Sequence, residues 1–129
     1  MGGRYLLDTN IVIAIFNGEN GIGQRLETRS EIFLCSVVFG ELYFGAVKSN
    51  RPQANMEQVE EFARFCTLVG TDTGTGRSYG ELKLHLRRKG LPIPENDIWI
   101  AACALEHDLT LVTRDRHFKY VDGLPLEAW

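Results

Sequence analysis

The sequence predicts an α/β fold in which a mostly parallel sheet is covered by helices on both faces. Two observations carry that prediction. Strand-like and helix-like stretches alternate along the whole chain, the pattern of helical crossovers between parallel strands. Within 94–118 a helical period passes straight into a β-branched run. Ile98, Ala101, Ala102 and Leu105 recur at i, i+3, i+4 and i+7, and Thr110 to Thr113 follow an Asp108 turn as a compact strand. Crossovers in such sheets are right-handed, and ligands collect beyond the carboxyl ends of the strands.

Taken in order, Arg4 to Leu7 is the first strand, stopped by Asp8. Thr9-Asn10 turns the chain into a short helix, Ile11 to Phe16, that ends near Asn17-Gly18. Glu19 to Gly23 reads as loop and Gln24 to Arg29 as a weak helix. Ile32 to Cys35 is the second strand, and Ser36 has the chemistry of an N-cap for a helix over Val37 to Lys48. Ser49 to Pro52 is a polar break, with Pro52 placed to open the next helix. In that helix Met56, Val59, Ala63 and Cys66 make one apolar stripe. Leu68-Val69 is a minimal strand. Thr71 to Gly76 reads as a polar connection into a helix over Arg77 to Lys89, which Gly90 and Pro92 stop. Pro94 and Asn96 are start residues for the following helix. Leu124 to Trp129 reads as an edge strand.

At 129 residues the chain has the length of one domain, 1–129. With 44% hydrophobic and 24% charged residues it is ordinary for a soluble globular protein. A formal net charge of −3 argues against a basic, non-specific nucleic-acid coat. It leaves room for a nucleic-acid enzyme, because metal ions and a local basic patch can hold phosphate. Cys35, Cys66 and Cys103 are far apart and each lies in an apolar run, so they read as buried thiols of a reducing cytoplasm. Asp8 interrupts the only early apolar run, so no signal peptide is expected. Leu6 stands where myristoylation needs Ser or Thr, and no stretch is long enough to span a membrane. A soluble cytoplasmic protein is the expectation.

Four acids organise the chemistry. Asp8 and Asp115 each follow directly on an apolar strand, and Asp97 lies in a first helical turn. Glu41 has Val37, Val38 and Phe44 at i−4, i−3 and i+3, so it sits in an apolar stripe where a carboxylate is costly unless paired. Each acid also has a purely structural reading: Asp8 as a cap, Asp97 as a dipole complement, Asp115 as a turn residue, Glu41 in an ion pair. Two carboxylates about 4 Å apart repel by about 4 kcal/mol at an effective dielectric near 20. Four together need shifted pKa values or a cation. Hard oxygens with no His or Cys at matching spacing suit Mg²⁺ or Mn²⁺ better than zinc. His85, His107 and His117 share no ligand spacing and read as surface or packing residues. No Gly-x-Ser-x-Gly elbow is present, and Thr73-Gly74-Thr75-Gly76 lacks the Lys of a phosphate loop.

With these residues in view the chain resembles a known family. Asp8-Thr9-Asn10 after the first strand, Glu41 in Gly-Glu-Leu, Asp97 before Ile100-Ala101-Ala102, and Val112-Thr113-Arg114-Asp115 before His117-Phe118 resemble PIN-domain ribonucleases. More narrowly they resemble the VapC-type toxins of toxin–antitoxin pairs. Arg114 stands where many relatives carry Asn. The resemblance implies a three-layer α/β/α sandwich with a sheet of about five parallel strands. Asp8, Glu41, Asp97 and Asp115 would line an acidic pocket binding one or two Mg²⁺ or Mn²⁺ ions. Thr9, Asn10 and Thr113 would orient those acids or a metal-bound water. Members are homodimers blocked by a cognate antitoxin protein.

The resulting expectation is an endoribonuclease in which a metal-activated water attacks an RNA phosphodiester in line, leaving 5′-phosphate and 3′-hydroxyl ends. Asp8, Asp97 and Asp115 are the main metal ligands, and Glu41 completes the shell or deprotonates the water. Arg114 and Arg116 flank Asp115 as RNA contacts, with Lys48, Arg51, Arg87, Arg88 and Lys89 as further groove candidates. The alternative is a non-catalytic PIN-like module that binds RNA or protein. A phosphotransfer receiver domain would want paired acids after the first strand, and these are missing.

Overall fold

The structure is a computed structural model and describes residues 3–26 and 31–129. One sheet is formed by β1 (Arg4–Leu7), β2 (Glu31–Cys35), β3 (Thr67–Val69), β4 (Thr110–Val112) and β5 (Leu126–Glu127). All its pairings are parallel, in the spatial order β3-β2-β1-β4-β5. Tyr5 of the central β1 pairs with Ile32 on one side and Thr110 on the other. Leu6, Leu7, Leu34, Leu111 and Val112 are fully buried, as the inner strands of a sheet covered on both faces must be. The chain steps outward from β1 to β3 and then returns to the far side of β1. The strand order therefore reverses between β1 and β4, and right-handed crossovers on the two sides of that point lay helices on both faces.

The helices are α1 (Thr9–Phe16), α2 (Ile22–Leu26), α3 (Ser36–Val47), α4 (Pro52–Phe65), α5 (Thr73–Arg88) and α6 (Glu95–Glu106), with a 3-10 helix over Arg116–Tyr120. The α3 and α4 helices pack as a pair, as do α5 and α6, while α3 also touches α1 and α6. Pro52 opens α4, its missing N–H falling where a helix has no acceptor. Val59 and Ala63 of the expected α4 stripe are buried, and Met56 and Cys66 are half-buried. Burial pushes the Cys66 thiol up to about 12.

Several boundaries differ from the sequence expectation, each for a local reason. Helix α3 begins at Ser36 itself, because Cys35 is the extended residue before it and no side chain caps the first turn. Ile22 is buried and starts α2 earlier than expected; the expected continuation to 27–29 lies outside the described residues. Helix α5 starts at Thr73, not Arg77. Asp72 accepts from the Thr75 amide and Thr75 Oγ1 accepts from the Asp72 amide, a capping box that carries Gly74 and Gly76 into the helix. Pro94 occupies the N-cap of α6 without a side-chain bond, which frees the Asn96 side chain for another partner. Helix α6 is buried on more than one stripe: Ile98 and 100–104 are all inside, between α5, α3 and β4.

Candidate active site

Asp8 is the residue at which β1 ends and α1 begins. Its backbone N–H reaches Val112 O at 3.0 Å, which ties the ends of β1 and β4 together at the switch point. Its carboxylate accepts from the Thr9 amide at 2.8 Å and thereby caps α1. The same group accepts from Thr113 Oγ1 at 2.7 Å and Asn10 Nδ2 at 3.4 Å. Only 3% of Asp8 is exposed. Burial raises its pKa, the bonds from Thr113 and Thr9 oppose the rise, and Asp97 and Asp115 add to it. A cap alone leaves this carboxylate with an unmet charge.

Asp115 follows β4 after Thr113 and Arg114, at the start of the 3-10 helix. Its amide donates to Thr113 Oγ1 at 3.0 Å. One buried hydroxyl therefore accepts from Asp115 and donates to Asp8, and so fixes the distance between two acids from different strands. Asp97 enters from the first turn of α6. Burial raises its pKa, contact with His117 lowers it, and Asp115 and Glu41 raise it further. His117 Nε2 lies 2.6 Å from Asp97 Oδ2.

Glu41 projects from α3 and accepts from Thr9 Oγ1 at 2.6 Å and from Asn96 Nδ2 at 3.3 Å. The apolar surroundings expected for it are only partial, because Phe44, one turn along, is 65% exposed. Glu41 instead stands half-buried at the mouth of a cleft of about 300 Å³ lined by Ile13, Phe16, Leu42 and Val59. Asn10 Oδ1 accepts from the Arg114 amide at 3.2 Å, so the Thr9-Asn10 pair links all three edges of the site.

The basic residues are placed unevenly. Arg114 forms a two-pronged pair with Glu19 at 2.9 and 3.3 Å and also donates to Trp129 O, so its guanidinium ties the end of the sheet to the loop after α1. Arg116 is exposed beside Asp115. Lys89 pairs with Asp122, and Lys48 lies over the Phe44 ring. Two neighbours of the acids escaped the sequence reading. Asn96 looked like a cap, and His117 lacked ligand spacing to other histidines; their adjacency to Asp97 and Asp115 in the chain was the available hint.

Donor atoms of Asp97, Asp115 and His117 all lie within 4.8 Å of one another. Asp97 and Asp115 are brought directly together, and Asp8 and Glu41 stand within electrostatic reach of them where the sheet reverses. Burial raises the pKa of Asp8 and Asp97. The PIN-domain family profile matches residues 5–124. Ribonuclease VapC2 of Haemophilus influenzae is 33% identical over 129 residues, covering 98% of each chain. The chain belongs to the VapC ribonucleases of the PIN-domain family. The tRNA(fMet)-specific endonuclease VapC of Shigella flexneri is 32% identical, again over 98% of both chains. Among solved structures, VapBC2 of Rickettsia felis bound to a promoter DNA fragment superposes with a TM-score of 0.92 at 33% identity and 98% coverage of each chain. DNA-bound VapBC of Salmonella typhimurium gives 0.90 at 32% identity, covering 100% of this chain and 99% of that one. The VapC fold, a three-layer α/β/α sandwich, is therefore the architecture of this chain, as its five parallel strands and flanking helices show. The donor set fits a hard divalent ion: clustered carboxylates, no thiolate, and buried charge in need of neutralising. No helix among the described residues is long and apolar enough to cross a membrane.

Proposed function

We propose that this chain is a Mg²⁺- or Mn²⁺-dependent endoribonuclease that acts in the cytoplasm as the toxin of a toxin–antitoxin pair. The observation that carries the reading is the convergence of Asp8, Glu41, Asp97 and Asp115 at the reversal point of the sheet. Asp8, Asp97 and Asp115 would hold one or two ions, with Glu41 completing the shell. A bound divalent ion supplies Lewis-acid activation of water and neutralises charge on the phosphate oxygens. Thr113 holds Asp8 and Asp115 in register, while Thr9 and Asn96 hold Glu41. Glu41, outside the deepest part of the site, is placed to take the proton of the attacking water. Arg116 is the side chain beside Asp115 that can meet an RNA phosphate; Arg114 would need to leave Glu19 to do so.

In the reaction, water adds to phosphorus, the bond to the 3′ oxygen breaks, and that oxygen takes up a proton. The products are a 5′-phosphate and a 3′-hydroxyl. Because relatives are named as tRNA(fMet)-specific endonucleases, tRNA(fMet) is the first substrate to test. The VapBC assemblies solved for relatives support a cognate antitoxin as partner; the toxin itself is expected to act as a homodimer that the antitoxin blocks. Purified chain should cut tRNA(fMet) or another cellular RNA at discrete positions with Mg²⁺ or Mn²⁺ and not with EDTA. A 2′,3′-cyclic phosphate end would contradict the scheme, and absence of cleavage on every RNA would favour a non-catalytic binding module.

A further inference from the structure

We propose that His117 is a nitrogen ligand of the divalent ion in this acidic site and biases it toward Mn²⁺ over Mg²⁺. The inference rests on the metal-site reading above and adds a donor to it. The Nε2 atom lies 2.6 Å from Asp97 Oδ2 and within 4.8 Å of an Asp115 carboxylate oxygen. Donors on opposite sides of a six-coordinate Mg²⁺-sized ion are about 4.2 Å apart, so these three atoms need only a small adjustment to reach one ion. Although it touches Asp97, the buried Nε2 has no aligned hydrogen-bond partner. An atom in that condition has bonding capacity left unmet beside the acids, which a bound ion would satisfy.

The ring is also positioned in advance. His117 follows Arg116 in the 3-10 helix, and the next residue, Phe118, is fully buried and anchors that turn in the core. The two rings lie 4.8 Å apart at 43°. His85 pairs with Asp122, and His107 Nε2, likewise without an aligned hydrogen bond, stands beside Glu106. Among the described residues only His117 lies within reach of two of the site's acids. Imidazole is a poor donor for Mg²⁺ and a better one for transition ions, so a nitrogen in the shell shifts selectivity toward Mn²⁺.

The test is pulsed electron paramagnetic resonance on the untagged full chain loaded with Mn²⁺, with natural-abundance and ¹⁵N-histidine protein compared. Calorimetric titration with Mn²⁺ and Mg²⁺ accompanies it, on wild type, His117→Gln, His117→Asn and Asp97→Asn. The expected result is a histidine nitrogen coupling in wild type that both His117 variants lose. Mn²⁺ affinity should fall by roughly tenfold or more in those variants, while Mg²⁺ affinity changes by no more than about threefold. Mn²⁺ bound without nitrogen coupling, or with coupling that survives both substitutions, overturns the role of His117 and leaves the carboxylate site intact. Failure of wild type to bind Mn²⁺ at all overturns both.

Discussion

Thr113 shows how much of this site depends on single groups. Its buried hydroxyl donates to Asp8 and accepts from Asp115. Thr113→Val keeps the shape and removes both bonds, which should cost about 1–3 kcal/mol in urea unfolding and roughly 10–100-fold in metal affinity. The acids themselves act on stability with the opposite sign from most surface carboxylates. Asp8 and Asp97 have pKa values raised above the ordinary 3.8, so the folded state holds their protons more tightly than the unfolded state does. Below about 3.8 the shift has no effect, and as pH rises through the folded values it lowers stability. Without metal, stability should therefore increase as pH falls from neutral toward the ordinary carboxylate range. Glu19, Asp72, Glu95 and Asp122 have lowered values and lose their contribution only near and below the ordinary carboxylate range. Thermal unfolding in EDTA checks this: Asp97→Asn should flatten the slope, and saturating Mn²⁺ should remove most of it. A slope unchanged by both would mean that other groups set it.

At the scale of elements, helix α5 carries the clearest test of local physics. A Cβ on Gly76 meets nothing within 4 Å, whereas one on Gly74 comes to 1.9 Å of Glu106 Oε2. Gly76→Ala should stabilise by about 0.5–1 kcal/mol. Gly74→Ala must push Glu106 away from Thr75 Oγ1, now 2.6 Å from Oε1, and should lose that gain or reverse it. Paired urea titrations decide. This stretch also marks where sequence reading fails. Two glycines in four residues look like a linker, and only the reciprocal bonds of Asp72 and Thr75 make them helical. Strands of three to five residues were legible as compact, mostly apolar runs between helical stretches, and Pro52 marked a helix start correctly. Asp8 and Asp115 stand out in the sequence because each follows a strand. The pattern around Glu41 was misleading, since it treated the exposed Phe44 as core. The contacts of Asn96 with Glu41 and of His117 with Asp97 were illegible, because they span elements that periodicity cannot relate.

For the whole molecule, alternation of strands and helices is enough to expect a parallel sheet, but not its order. That order matters most, because the reversal between β1 and β4 brings residue 8 beside residues 113 and 115. The central claim is that four acids from distant segments work as one unit. The decisive measurement is the single-turnover cleavage rate of tRNA(fMet), or of the RNA found to be cut, at saturating Mn²⁺. It compares wild type with Asp8→Asn, Glu41→Gln, Asp97→Asn, Asp115→Asn and the double variant Asp8→Asn/Asp97→Asn, each confirmed folded. Each single change should slow cleavage by about 10²–10³-fold or more, and the double variant should be scarcely slower than its worse parent. Near wild-type rates in any of the Asp variants, or strictly multiplicative losses in the double variant, would contradict a single metal-dependent centre.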